Sequence, residues 1–142
     1  FNCRMGDPET QPIMMRLKTD LVEVLLTATA PDAQTRLEDL ELQWDRRTAV
    51  GVVMAAHGYP MNPRKGDVIG GLPQDSDDAV VFHAGTQMVD AVVSTSGGRV
   101  LCVTALGGTI KLAQQLAYET AKGIHFDGVQ YRTDIGYRAI AR

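Results

Sequence analysis

The chain has 142 residues, of which 44% are hydrophobic and 22% are charged, a composition that is ordinary for one globular domain. Its net charge of -3 supplies no basic field for a nucleic-acid backbone, and no run approaches the roughly 20 apolar residues that span a bilayer. Two cysteines are too few for a secreted scaffold built on disulfides, so we expect a cytoplasmic protein with no nucleic-acid or membrane partner.

The first residues predict a strand that turns into a helix. Residues 1–5 alternate like the end of a strand, and Asp7-Pro8 offers a helix N-cap followed by proline at the first helical position. Glu9 then falls in the first turn, where its charge favours the helix macrodipole. Because the chain opens on Phe1 without a methionine or a signal peptide, we expect this start to be internal to a longer protein.

A second helix and a connecting segment follow. Asp20 is placed to cap a helix, and Glu23 three positions later strengthens the cap. Pro31 marks the point before which this helix must end, and residues 31–41 are polar with at most one helical turn. The predicted division of the chain is residues 1–30, a linker at 31–48 and a main domain at 49–142.

The main domain is predicted to be a mainly antiparallel sheet with one covering helix. Short apolar runs alternate with turns that contain Gly, Asp or Ser, which is typical of strands. A run at helical spacing follows Thr109 as N-cap, and Gly123 stands where a left-handed C-terminal residue is expected. The tail predicts a short strand and then a turn or helix start, and the fold class is therefore α+β. The predicted strands are residues 49–56, 67–72, 79–83, 88–93 and 99–105.

The densest chemical signal lies in residues 1–12. On a strand, Asn2 and Arg4 project from the same face while Cys3 points the other way. An amide oxygen that can coordinate magnesium and a guanidinium that can neutralise phosphate suit phosphoryl chemistry. The residues alone also allow a simple capped helix with a surface arginine, so they leave both interpretations open.

This run closely resembles the signature of the glycinamide ribonucleotide synthetase family, in which an asparagine, an arginine and Gly-Asp-Pro-Glu follow the last metal-binding strand of an ATP-grasp domain. Met5 stands where the family more often has an aromatic residue or leucine, a departure that concerns packing because Met5 should point away from the ligand face. The resemblance spans nearly the whole chain. It continues in residues 20–23, 52–60, 66–69, 82–86, 97–101 and 134–140.

The resemblance implies an ATP-dependent ligase of purine synthesis that joins phosphoribosylamine to glycine through a glycyl phosphate. It implies magnesium (or manganese) bound by Asn2 and by a glutamate that would precede Phe1, with ATP as co-substrate. Arg4 matches an arginine that, by likeness to biotin carboxylase, would be catalytic and face the acyl phosphate. The residues that it suggests for substrate binding are Asp7, Glu9 and Arg99.

The same resemblance implies the architecture and the partners. Residues 1–30 would end an ATP-grasp domain, and residues 49–142 would form a C-terminal domain similar to that of biotin carboxylase. The partners would be the remaining domains of the same enzyme, with glycine, phosphoribosylamine and ATP. Without those domains we expect the chain to be inactive. The rival hypothesis is a non-catalytic module that docks onto a larger cytoplasmic assembly, with the Asp7-Pro8 turn merely structural.

The remaining candidates favour structural roles. Cys102 lies in an apolar run and is predicted to be buried, whereas Trp44 could anchor another domain or pack at the entry to the main domain. The three histidines lie in separate segments without ligand partners at metal-site spacing, which indicates structural roles. They are His57, His83 and His125.

Overall fold

The structure is a computed structural model that describes residues 3–30 and 36–141. In these residues no helix is long and apolar enough to cross a membrane. Helices and antiparallel strands are both present, so the predicted α+β class is confirmed. The elements in chain order are α1 (Thr10–Arg16), α2 (Leu21–Thr29), a 3-10 turn (Leu37–Asp39), β1 (Thr48–Ala55), β2 (Ala79–His83), β3 (Thr86–Val89), β4 (Val92–Thr95), β5 (Arg99–Gly107), α3 (Ile110–Gly123) and α4 (Tyr137–Ile140).

The core sheet consists of three antiparallel strands in the order β1-β5-β2. Val103 of β5 pairs with Val52 of β1 on one side and with Val81 of β2 on the other. Every residue of β5 after Arg99 is buried, which explains why this strand has a nearly continuous apolar sequence. The strands predicted at 49–56, 79–83 and 99–105 are therefore confirmed as the core of the protein.

Helix α3 covers one face of this sheet, as predicted. Ala113, Ala117 and Ala121 have no exposed surface, and their small side chains let the helix lie close to the strands. The Oγ1 of Thr109 accepts a hydrogen bond from the Leu112 N–H at 3.2 Å, which confirms the predicted cap. The expectation for Gly123 is wrong, because this residue ends the helix without a left-handed φ and the extended Ile124 follows it.

A hairpin replaces the single strand that was predicted at residues 88–93. Strands β3 and β4 pair directly, and the turn between them is formed by Asp90 and Ala91, whose φ angles are 49° and 63°. A two-residue hairpin turn of this kind is signalled by Asn-Gly or Asp-Gly in a sequence. Ala91 gives no such signal, so the sequence pattern predicted one continuous strand where the structure has two.

The strand predicted at residues 67–72 is also absent. Within the described residues this segment makes isolated bridges, from Val68 to Ser94 and from Gly70 to His125. The positive φ of 74° at Gly71 interrupts the extended backbone that a longer ladder would need. This segment still contributes Ile69 to the hydrophobic core.

The opposite face of the sheet is partly covered by α1. A Cβ at Gly51 of β1 would lie 3.3 Å from the Cγ of Pro12, so the absent side chain gives α1 its place on the strand. Helix α2 contains no buried residue and packs against the 3-10 turn. Its cap is the predicted one, since Asp20 Oδ1 accepts from the Val22 N–H at 2.8 Å, and the helix ends before Pro31 as expected.

The beginning of the chain differs from the predicted strand. Cys3 and Arg4 form a bend, and α1 begins at Thr10 with Glu9 at its N-cap position and no side-chain cap. Asp7 is therefore not the helix cap. The extended strand that the alternation suggested would need neighbouring strands, and none lies beside residues 3–5 in the described part of the chain.

Candidate functional site

The Gly6-Asp7-Pro8-Glu9 motif forms a compact turn that leads into α1. The Thr10 N–H donates to the Gly6 carbonyl at 3.1 Å, and the Ile13 N–H donates to the Glu9 carbonyl at 3.3 Å. The Glu9 carboxylate folds back over Gly6, where an added Cβ would overlap Oε2 of Glu9. Glycine at this position therefore leaves room for the carboxylate.

Asp7 joins this turn to the main domain. Its carbonyl accepts from Nη1 of Arg99 at 2.9 Å, and its Oδ2 lies 3.3 Å from Nε of the same guanidinium. Its Oδ1 accepts from Nε2 of Gln11 at 3.2 Å. Two of the three proposed substrate-binding residues thus touch each other across 92 positions of sequence. The side chain that was predicted as a helix cap is instead held by Arg99.

The first residue of β5 is placed for this contact by the glycines before it. A Cβ at Gly98 would lie 2.5 Å from Cδ2 of Tyr59, so the chain can pass the Tyr59 ring only without a side chain there. The Arg99 carbonyl accepts from the Gly85 N–H at 2.8 Å. These contacts fix the backbone from which Arg99 extends towards Asp7.

The other candidates are not gathered at this contact. Arg4 is exposed, and its Nη1 donates to the neighbouring Met5 carbonyl at 2.8 Å. Asn2, the predicted metal ligand, lies outside the described residues. Glu9 shares the turn but its carboxylate faces Gly6. The structure therefore brings Asp7 and Arg99 together. The predicted pairing of Asn2 with Arg4 stays a prediction, because Asn2 lies outside the described residues.

A cavity of about 470 Å³ opens beside the Asp7 and Arg99 pair. Its floor is the outer face of β1, formed by Gly51, Val53 and Ala55. We name it the β1 cavity. Its polar lining is formed by Arg99, Tyr59, Gln130, Tyr131 and Arg132.

The far wall of the β1 cavity is a well-anchored loop. The Gln130 backbone exchanges hydrogen bonds of 2.7 and 2.9 Å with Ala55, at the end of β1. The Tyr118 hydroxyl donates to the Arg132 carbonyl at 2.8 Å and accepts from the Ile135 N–H at 3.0 Å. The backbone that carries the polar lining is thus fixed to both the sheet and α3.

Arg132 is held in place by a bidentate pair with Asp134. Its Nε and Nη2 lie 2.8 and 2.7 Å from the two carboxylate oxygens. These hydrogen bonds lower the pKa of Asp134 and raise that of Arg132. From the sequence the tail was predicted only as a short strand followed by a turn or helix start, and the family resemblance there covers residues 134–140, so Arg132 was not a candidate. The available signal was two donor side chains, Tyr131 and Arg132, next to the Asp134 motif.

A second charge cluster ties α1 to the start of β1. Asp45 is buried, with 8% exposure, and accepts from the Arg47 N–H at 2.8 Å and from Arg47 Nη2 at 2.9 Å. The hydrogen bonds from Arg47 hold the pKa of Asp45 well below its ordinary value. Arg16 of α1 donates to the Asp45 carbonyl through Nε at 3.2 Å. This cluster is structural support and was not predicted.

No metal site is formed within residues 3–30 and 36–141, where no group of three His, Cys, Asp or Glu side chains could hold an ion. The predicted burial of Cys102 is confirmed, and burial raises the pKa of its thiol. The backbone of Trp44 forms an isolated β-bridge with Leu17, which agrees with packing at the entry to the main domain. The residue is nevertheless 42% exposed, so part of its surface remains open to solvent.

Comparison with known proteins gives a consistent result. The model of the family described as "Phosphoribosylglycinamide synthetase, C domain" matches residues 49–138. A phosphoribosylamine–glycine ligase of Ralstonia nicotianae is 61% identical over 142 residues, which are 100% of this chain and 33% of that protein. One of Escherichia coli O157:H7 is 56% identical over 144 residues, again covering 100% of this chain and 33% of the relative.

A solved structure agrees. The crystal structure of a phosphoribosylamine–glycine ligase from Thermotoga maritima superposes with a TM-score of 0.76 at 37% identity, covering 94% of this chain and 32% of that one. The chain spans about a third of the length of the curated relatives it matches. The family resemblance drawn from the sequence is confirmed, and the chain belongs to the phosphoribosylglycinamide synthetase C-domain family.

Proposed function

We propose that this chain is the C-terminal part of an ATP-dependent ligase that joins phosphoribosylamine and glycine to give glycinamide ribonucleotide, ADP and phosphate in purine synthesis. The observation that carries this proposal is the match of the entire chain, at 61% identity, to a protein named phosphoribosylamine–glycine ligase. The contact between Asp7 and Arg99 supports it, because it joins the family's polar motif to the main domain.

In this proposal the chain contributes one wall of the active site. Arg4 stabilises charge on the acyl phosphate, which suits its exposed guanidinium and its position before the turn. The substrate-binding residues in this proposal are Asp7, Glu9 and Arg99. Since Nε and Nη1 of Arg99 already face Asp7, its Nη2 is the group left for a substrate.

Magnesium or manganese is assigned to Asn2 by family resemblance. The described residues do not by themselves offer a set of ligands for such an ion, so no step of the reaction is derived through it. When bound, a divalent cation would neutralise phosphate charge on ATP. ATP itself would be enclosed mainly by residues that are not part of this chain.

The proposed domain division is residues 1–30 as the end of an ATP-grasp domain, 31–48 as a linker and 49–142 as the C-terminal domain. The family match begins at residue 49, which supports it. The remaining domains of the same cytoplasmic enzyme would then be partners of α2. The side chains of Val22, Leu25 and Leu26 are 61%, 53% and 59% exposed, and we call them the apolar face of α2. Such a face favours burial against another surface.

The test of the metal assignment is Asn2→Ala in the full-length ligase. We expect magnesium-dependent formation of glycinamide ribonucleotide to fall sharply, because an oxygen ligand of the cation is lost. The matched control is Asn62→Ala, which removes an exposed amide in a loop of the main domain. Unchanged ligation by the Asn2 variant would refute the assignment.

The alternative function is a non-catalytic docking module, which the exposed apolar face of α2 favours. The two proposals differ in what precedes Phe1. A native upstream sequence that lacks a glutamate at the preceding position and an ATP-grasp nucleotide loop would reject the ligase and support docking. Their presence would do the reverse.

A further inference from the structure

We propose that Gln11 is a positioning residue of the ligation, because it holds one oxygen of the Asp7 carboxylate and thereby keeps one edge of the Arg99 guanidinium free for an anionic group of a substrate. This inference rests on the proposed function for the reaction, while the contacts of Gln11 belong to the structure alone. Gln11 itself does not line the β1 cavity, so it would act through Asp7.

The carboxylate of Asp7 is shared between two side chains. Nε2 of Gln11, four positions later, donates to Asp7 Oδ1 at 3.2 Å, while Asp7 Oδ2 lies 3.3 Å from Nε of Arg99. The opposite orientation of the amide would turn its carbonyl oxygen towards the negatively charged carboxylate, so the charge on Asp7 fixes the orientation of the amide. Each oxygen of Asp7 therefore faces a different side chain.

A second arginine of the chain shows the pairing that forms when one carboxylate serves one guanidinium. Asp134 uses both of its oxygens for Arg132, at 2.8 Å from Nε and 2.7 Å from Nη2. This fork is the geometry that suits a guanidinium and a carboxylate best. At the same edge of Arg99 only Nε faces a carboxylate oxygen, and Nη2 has no partner among the residues that the structure describes. Without Gln11, Oδ1 of Asp7 would be free to turn to Nη2 and complete the fork.

The other end of the Gln11 amide indicates that the residue is not there for stability. Its Oε1 is buried and accepts no hydrogen bond from any residue in the ranges 3–30 and 36–141. A buried acceptor without a donor destabilises a fold, whereas apolar groups of the same shape can be neutral or stabilising. The contact of its Nε2 with Asp7 therefore explains Gln11 better than a contribution to the core does.

The first test is urea unfolding of this chain with Gln11→Met, which keeps the length of the side chain and removes both polar atoms. The midpoint should stay the same or rise, because the buried acceptor is gone and Asp7 gains Nη2 of Arg99. Adding Arg99→Gln should lower the midpoint by more in the Gln11→Met background than in the wild type, since it then breaks a complete fork.

The matched control is Gln115→Met. Nε2 of Gln115 also donates to a carboxylate four positions away, at 2.8 Å from Oε1 of Glu119, but this pair lies on the exposed side of α3. The control variant should leave the effect of Arg99→Gln on the midpoint unchanged.

The second test measures ligation by the full-length protein with glycine, phosphoribosylamine and ATP varied in turn. Gln11→Met should raise about tenfold the same KM that Arg99→Gln raises, because Asp7 then competes for Nη2 and a hydrogen bond to a charged group contributes about that factor. The kcat should stay nearly the same, as expected when only binding is lost. In the Arg99→Gln background Gln11→Met should have no further effect, and Gln115→Met should leave every KM unchanged.

The two tests separate this inference from the proposed function. A larger effect of Arg99→Gln on the midpoint in the Gln11→Met background, in a full-length protein that does not ligate glycine, would uphold the hold of Gln11 on Asp7 and reject the ligase. An equal effect of Arg99→Gln in both backgrounds would overturn the inference. A loss confined to kcat, or KM increases of Gln11→Met and Arg99→Gln that multiply in the double variant, would overturn it as well.

Discussion

The contact between Arg99 and Asp7 makes a quantitative prediction about stability. Arg99→Gln removes both the charge-assisted hydrogen bond to the Asp7 carbonyl and the ion pair, whereas Asp7→Asn removes the ion pair and keeps the carbonyl. The two side chains are 43% and 36% exposed, so the ion pair is a surface pair and contributes about 0.5 kcal/mol. A hydrogen bond from a charged group contributes about 1.5 kcal/mol at such a position.

We therefore expect Arg99→Gln to lower the free energy of unfolding by about 2 kcal/mol and Asp7→Asn by about 0.5 kcal/mol. The double variant should be less destabilised than the sum, by the coupling of about 0.5 kcal/mol. The assay is urea unfolding of the 142-residue chain at pH 7, in low salt and in 1 M NaCl. High salt should remove most of the coupling because it screens exposed charges.

The control for this cycle is Arg138→Gln combined with Asp7→Asn. Arg138 stacks on Tyr137 and does not contact Asp7, so these two effects should add. Equal losses in the two single variants, or a coupling that persists in high salt, would refute the reasoning. A stability unchanged by Arg99→Gln would mean that Arg99 does not hold the turn and serves only the substrate.

Three further predictions concern the helix cap, pH and ATP. Thr109→Ala should lower the free energy of unfolding by about 1 kcal/mol in urea melts, because the Leu112 N–H loses its acceptor, while Thr109→Ser should keep most of the stability. The depressed pKa of Asp45 stabilises the fold above the unfolded pKa near 4, and this contribution is lost as pH falls further. The stability difference between wild type and Asp45→Asn should therefore shrink in melts below pH 4, and a constant difference would contradict the pairing with Arg47. Calorimetry of this chain should show negligible ATP binding, and micromolar affinity would refute the proposed dependence on the other domains.

The elements with local signals were predictable from the sequence. Thr109 stands directly before an apolar pattern at helical spacing, and the short apolar run at residues 99–105 is typical of a buried strand. The hairpin at Asp90 and Ala91 was missed because its turn lacks the usual residues. The sequence pattern does not predict this turn, because the pairing of β3 with β4, and not the turn residues themselves, imposes the positive φ angles of Asp90 and Ala91.

The sequence identified Asp7 and Arg99 as candidate site residues, but it did not predict that they contact each other. Asp7 has every local feature of a helix cap, yet a guanidinium 92 positions later binds it in preference to the helix N–H groups. Arg132 and Tyr131 are unremarkable in the sequence and become cavity-lining only because Gln130 pairs with Ala55. Such pairings depend on the tertiary fold, and a single sequence carries no direct record of them.

The position of β5 in the middle of the core sheet has a consequence for folding order. Within residues 3–30 and 36–141, β1 and β2 pair with β5 and not with each other. The central strand is also the last of the sheet in chain order. During synthesis neither outer strand can therefore form its ladder with β5 until β5 has emerged, so we expect these two ladders to form only after most of the main domain has been made.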